Sequence, residues 1–169
     1  VDNFIIQGIG FIALLLFLIS FQAKSRKSIL YLQILTMVFF AIHFSLLFAW
    51  TAVALVSLNA IRAYVFSFRE TKKWAQSYFL LYFFLALVWI IGFATWEGFH
   101  SRYIIFALTF VTLSHWSKST KNLRLIFLLS HPLWIAYDIV VGSYAGIISE
   151  VVVLLSNLLG YWRFERKKN

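Results

Sequence analysis

Ser20-Phe21-Gln22-Ala23-Lys24-Ser25-Arg26-Lys27 and Ser114-His115-Trp116-Ser117-Lys118-Ser119-Thr120-Lys121 carry one polar pattern twice, 94 residues apart. Each block ends an apolar stretch. Each is followed by a second apolar stretch, a short uncharged connection and a third. The hydropathy pattern predicts seven membrane-spanning helices over 4–21, 29–48, 51–68, 74–96, 103–116, 123–141 and 144–162. The 103–116 stretch is shorter than the ~20 residues that cross ~30 Å of hydrocarbon, so it is expected to extend at both ends. The two polar blocks follow the first and fifth of these. The chain therefore divides into a three-helix repeat over residues 1–73, a linking helix over 74–98 and a second repeat over 99–169. Because the odd helix restores the orientation, the two repeats run parallel. The expected class is an all-α, polytopic membrane bundle of 3+1+3 design. Transporters of this type hold substrate between their repeats, near the midplane.

Charge supplies the orientation. On the seven-helix reading, fourteen of the fifteen Lys and Arg residues fall on one side, and only Arg102 on the other. Basic residues in short loops are retained on the cytoplasmic side. That predicts an outside N-terminus and a cytoplasmic C-terminus. The first apolar stretch has no basic segment before it and no small-residue cleavage site after it, so it is expected to be a retained helix and not a signal peptide.

Composition agrees: 62% of residues are hydrophobic, 20% aromatic and 12% charged, against about 25% charged in an average soluble domain. Mean hydropathy is +0.86. In a soluble protein, a net charge of +9 would suggest nucleic acid. Here the charges sit at helix ends, which points to anionic headgroups and away from nucleic acid. With no cysteine, thiolate catalysis and Cys-ligated metals are excluded. Trp50, Trp74, Trp96, Trp116 and Trp162 fall at predicted span ends, where indole rings favour the interface.

Polar groups inside spans are the candidate chemistry, because they are costly there. Asn59 and Arg62 share a helix face at i, i+3 and could hold a hydroxyl or carboxylate. The structural alternative has Asn59 at a helix contact and Arg62 snorkelling to headgroups. Glu150 and Asn157 are seven apart on one face, and Asn59 and Asn157 are expected at similar depth in the third helix of each repeat. Aligning the two amides requires a four-residue gap between the copies. Glu150 could carry a proton during transport, or pair with a Tyr, Trp or Arg. Trp134 and Tyr137 could form an aromatic wall, with Asp138 near the outer end of the same helix. His43 is expected to be a proton-sensitive substrate contact, and His131 a hydrogen-bonding group in the kink expected at Pro132, the predicted hinge. None of the four histidines is paired at i, i+4, so no metal and no haem is expected.

Two resemblances follow. The 3+1+3 plan with polar blocks resembles the SWEET and PQ-loop transporters and the PnuC vitamin transporters. Gln22 follows Phe21 and not proline, so the PQ-loop signature is absent. More closely, Leu58-Asn59-Ala60-Ile61-Arg62, the stretch around His43-Phe44-Ser45-Leu46-Leu47, Trp134-Ile135-Ala136-Tyr137-Asp138, Gly142-Ser143-Tyr144-Ala145-Gly146, Glu150 and Leu154-Leu155-Ser156-Asn157 resemble the YgjV-type bacterial inner-membrane proteins. That resemblance implies a multi-pass protein of the bacterial inner membrane and brings no substrate with it. Asp138 stands where the family pattern has an Asn-like polar residue.

The expected function is transport or facilitated passage of a small polar solute between the repeats. No catalytic set, cofactor or nucleotide motif is expected, and the chain is not read as an enzyme. The alternative is a non-transporting assembly or partner-binding protein. Lipid headgroups and a solute are the expected partners; self-association is left open.

Overall fold

The two polar blocks are helix-to-helix turns with the same hydrogen bonds. Ala23 N–H and Ser117 N–H close their helices onto the Ser20 and Ser114 carbonyls. Ser25 and Ser119 then cap the next helices, accepting from the N–H groups of Ser28 at 3.1 Å and Asn122 at 3.5 Å. Serine suits this position because its short side chain accepts from an N–H that has no carbonyl partner in the first turn. The 94-residue spacing is therefore a repeat of local structure as well as of letters.

In a computed structural model, which describes residues 2–164, the chain forms α1 (Asn3–Gln22), α2 (Arg26–Leu46), α3 (Trp50–Ser67), α4 (Tyr78–Ala94), α5 (Ser101–Trp116), α6 (Thr120–Leu128), α7 (His131–Val141) and α8 (Tyr144–Phe164). A 3-10 turn, Trp74–Gln76, precedes α4. No strand occurs among the described residues. The basic cluster at Arg166, Lys167 and Lys168 lies outside them.

By length and hydropathy α1, α2, α3 and α8 can each cross a bilayer, and the bent α6–α7 pair, taken together, is long and apolar enough to be a fifth candidate span. α4 is strongly apolar but has 17 residues, a rise of about 25 Å. Ser77 caps it, so the expected stretch from Trp74 is shortened. α5 has 16 residues, extending the expected stretch by two at its start and none at its end.

The expected kink at Pro132 is a full break. α6 and α7 meet at 42°. Pro132 sits in the first turn of α7, where its missing N–H leaves no carbonyl short of a donor. The Ser130 hydroxyl donates to the Phe127 carbonyl at 2.7 Å and helps satisfy the broken turn.

Packing closes a ring. α1 lies on α2, α2 on α3, α3 on α5, α5 on α6 and α7, and both on α8, which returns to α1. α4 stands outside this ring against α3 and α5. On the α4–α5 turn, Glu97 accepts from the N–H groups of Trp50 at 2.8 Å and Thr51 at 3.3 Å. That carboxylate caps the start of α3, where the helix dipole favours negative charge.

Polarity is distributed as lipid requires. Large apolar side chains such as Phe79, Phe93, Ile90 and Leu159 are exposed, while Gln33, Asn59, Arg62, His115 and Asn157 are buried. Of the five tryptophans expected at span ends, Trp116 departs: it is 7% exposed. The Arg69 guanidinium lies 3.8 Å from its ring.

Gly10 marks a close approach of α1 to α8. A Cβ there would stand 2.6 Å from the Ala145 Cβ and 3.1 Å from the His43 ring. Gly10→Val should therefore force α1 off α8 and destabilise the fold by about 1–3 kcal/mol, as overpacking does elsewhere. Thermal unfolding in detergent would show a lower Tm than wild type; an unchanged Tm would mean that this contact is not tight.

Candidate functional site

Inside the ring lies a cavity of about 40 Å³. Its wall takes residues from every ring helix: Phe17 of α1, five of α2, Val56 and Asn59 of α3, Val111 of α5, Phe127 of α6, Trp134 and Asp138 of α7, and Glu150 of α8. α4 contributes none. The volume suits two or three water molecules.

α2 supplies the largest share through Gln33, Thr36, Met37, Phe40 and Phe44. Their spacing of three, four, seven and eleven from Gln33 is that of one helix face. Sequence reasoning overlooked this face. The available signal was two polar residues, Gln33 and Thr36, at helical spacing within an apolar span. Phe44 stacks with Trp134 at 6.1 Å and 17°, so the aromatic wall runs between α2 and α7. Tyr137 stands behind it, edge-on to both Phe44 and Trp134, and does not line the cavity.

Asn59 faces the cavity with its carbonyl oxygen held by Arg62 Nη2. Arg62 Nη1 donates to the Thr112 hydroxyl and, at 3.4 Å, to the Leu108 carbonyl. Arg62 is 0% exposed, so it does not snorkel. It points away from the cavity and ties α3 to α5. With the oxygen engaged, the amide NH₂ of Asn59 is the group left for the cavity.

At the opposite depth, Asp138 and Glu150 line the wall together. Glu150 Oε2 lies 2.5 Å from His131 Nδ1. Its partner is thus a histidine across the α7–α8 turn, in place of the Tyr, Trp or Arg expected from sequence. His131 belongs to the site through this contact, and its place in the kink is the first turn of α7. His43 does not line the cavity. Its Nδ1 lies 2.9 Å from the Ile6 carbonyl and its Nε2 3.0 Å from the Ser143 hydroxyl, joining α1 and α2 to the α7–α8 turn.

Asn157 is also set apart. It donates to the Arg124 carbonyl at 3.0 Å and lies outside the lining. Asn59 is nine residues beyond the start of α3, whereas Asn157 is thirteen beyond the start of α8. The four-residue difference places the two amides about 6 Å apart in depth. Expectations for Asn59, Trp134, Asp138 and Glu150 thus converge on one wall, with Arg62 and Tyr137 behind it and His43 and Asn157 elsewhere.

Gln33 closes the basic end, accepting at 2.9 Å from His115 Nε2. Arg26 donates to the His115, Ser117 and Phe66 carbonyls, and Arg69 to that of Trp116. These guanidiniums meet the negative end of α5.

Over residues 4–168 the chain matches a family model, Imp-YgjV, described as a bacterial inner membrane protein. No curated protein and no solved structure matches it.

Proposed function

Because the chain belongs to the Imp-YgjV family of bacterial inner membrane proteins, we propose that it carries a small polar solute across that membrane through the cavity in its ring. The observation behind this reading is a cavity walled by all seven ring helices, with Gln33, Thr36, Asn59, Asp138 and Glu150 set among apolar side chains, inside a bundle whose outer surface is apolar. Buried polar groups in a lipid-facing bundle are costly without a task. The cavity is too small for a sugar or nucleoside, so passage requires helices to part, as in a carrier and not an open pore.

The α6–α7 break at Pro132 is the proposed hinge. It joins the wall residue Phe127 to Trp134 and Asp138 beyond it. We read α4 and α5 as short spans, which restores seven crossings with the basic clusters in the cytoplasm. Packing supports a parallel repeat: α1 rests on α8 as α5 rests on α3. An axis that exchanges the two three-helix units would produce that pairing.

A thermal-shift screen against sugars, nucleosides, vitamins and amino acids should find a stabilising solute, since binding to the folded state raises Tm. Its uptake into proteoliposomes should fall at least tenfold in Asn59→Ala, with membrane insertion intact. Wild-type uptake in folded Asn59→Ala would reject the amide's role. A cytoplasmic readout from a reporter at the C-terminus is expected, and an external one would reject the seven-span topology.

A further inference from the structure

We propose that the cavity selects a small organic cation that also carries a hydrogen-bond acceptor, with its charged head between Asp138 and Glu150 and its body on the Phe44–Trp134 wall. This rests on the cavity being the solute site. Among the described residues, the lining holds two carboxyl groups and no Lys, Arg or His. Arg62 does not line the cavity, and its Nη1 and Nη2 are engaged by Asn59, Thr112 and Leu108.

Asp138 shows most clearly what the wall lacks. It is 1% exposed, and its Oδ1 makes no hydrogen bond. Ser143 is its nearest source of a proton donor, but that hydroxyl has one hydrogen. His43 Nδ1 faces a carbonyl and must donate to it, so the Nε2 of the neutral ring accepts from Ser143. Ser143 uses its lone pairs to accept from Gly146 N–H at 3.1 Å. Ser143 lies within hydrogen-bond reach of Asp138, but with its hydrogen on His43 Nε2 it has none to give there. A carboxylate buried there without a donor is costly, so the group holds either a proton or a cation, and a cation in the cavity can take the proton's place. Aromatic faces beside the carboxyls add their own attraction for positive charge.

The opposite preference holds toward the basic end. Asn59 presents NH₂, and Gln33 Nε2 is buried without a partner. By helix rise, the Asn59 amide stands about 5–10 Å further from the α7–α8 turn than the two carboxyls. A solute with a cationic head and an acceptor a ring's width away meets both once the helices part to admit it.

Three probes of one shape separate charge from fit: 3-acetyl-1-methylpyridinium, neutral 3-methylacetophenone and anionic 3-acetylbenzoate. Their binding to the purified protein would be measured by calorimetry. The cation should bind at least tenfold tighter than either analogue, and 1-methylpyridinium, lacking the acceptor, more weakly than the acetyl compound. Asp138→Asn should lose at least tenfold for the cation while keeping its helicity and monodisperse elution. Should that variant not fold, Glu150→Gln carries the same expectation. Equal binding of the ketone, preference for the benzoate, no binding by any probe, or full affinity in the folded variants would each overturn the cation site. Cation binding without uptake into proteoliposomes would leave this site standing and reject carriage. Carriage of an uncharged or anionic solute, unaffected by Asp138→Asn, would do the reverse.

Discussion

Replacing Arg26 by alanine should lower the free energy of unfolding by about 3–5 kcal/mol, the range for removing one partner of a buried charged contact. Arg26 opens α2 and is 4% exposed. Its Nε donates to the Ser117 carbonyl at 2.9 Å, and its Nη2 to the carbonyls of Phe66, at 3.1 Å, and His115. The last carbonyls of a helix have no N–H donor within it. One guanidinium thus satisfies the ends of α3 and α5 and joins both to α2. Hydrogen bonds to a charged group contribute about 1.5–3 kcal/mol each, and less than their sum when shared. Arg26→Lys keeps the charge but loses the planar fork, so an intermediate loss is expected. Glu70, 3.9 Å from Nη1 and half exposed, should matter little: Glu70→Gln should change stability by under about 0.5 kcal/mol. Chemical or thermal unfolding in micelles would measure all three. An Arg26→Ala protein as stable as wild type would show that water replaces the clamp.

Arg26 also marks where sequence reading stops. Beside Lys24 and Lys27 it reads as a basic cluster that sets topology. Nothing in that cluster announces carbonyls 89 and 91 residues away. The helices were legible because most apolar runs end at a polar, charged or glycine residue, the Phe48–Thr51 connection being the exception. The break at Pro132 was legible because proline cannot donate within a helix. The α4 boundary was misread because Trp74 extends the apolar run, whereas Ser77 fixes the start through its hydroxyl.

The site was half legible for a related reason. Asn59, Trp134, Asp138 and Glu150 stand out as polar or aromatic groups within spans, and they meet on one wall. Their direction did not stand out. Arg62 looked like a ligand for an anion, but its guanidinium is turned toward Thr112 of α5, while Asn59 lines the cavity. The two asparagines looked equivalent because both precede a basic cluster by nine or ten residues. The helix starts, which are 94 apart, place them a turn out of step. Partners at long range decide such details, and a single sequence does not contain them.

The His131–Glu150 contact is the second large effect. His131→Leu and Glu150→Leu should each cost about 3 kcal/mol. The double variant should cost little more than either alone, giving a coupling of about 1.5–3 kcal/mol. His131 is 0% exposed, and its Nε2 has no hydrogen-bond partner. Loss of the carboxylate would therefore leave both ring nitrogens buried and unpaired. Loss of the ring would strand a carboxyl group in its place. Removing both avoids either penalty, which is why the losses should not add. Unfolding of the four proteins under one condition measures the cycle, and a coupling under about 0.5 kcal/mol would mean that the pair does not form. The position gives the number a functional meaning. His131 is the first residue of α7, directly after the break, and Glu150 faces the cavity from α8. A cation that draws on Glu150 competes with His131 for the same carboxylate. The contact that fixes α7 to α8 would then weaken as the solute binds, releasing the hinge at the moment it is needed.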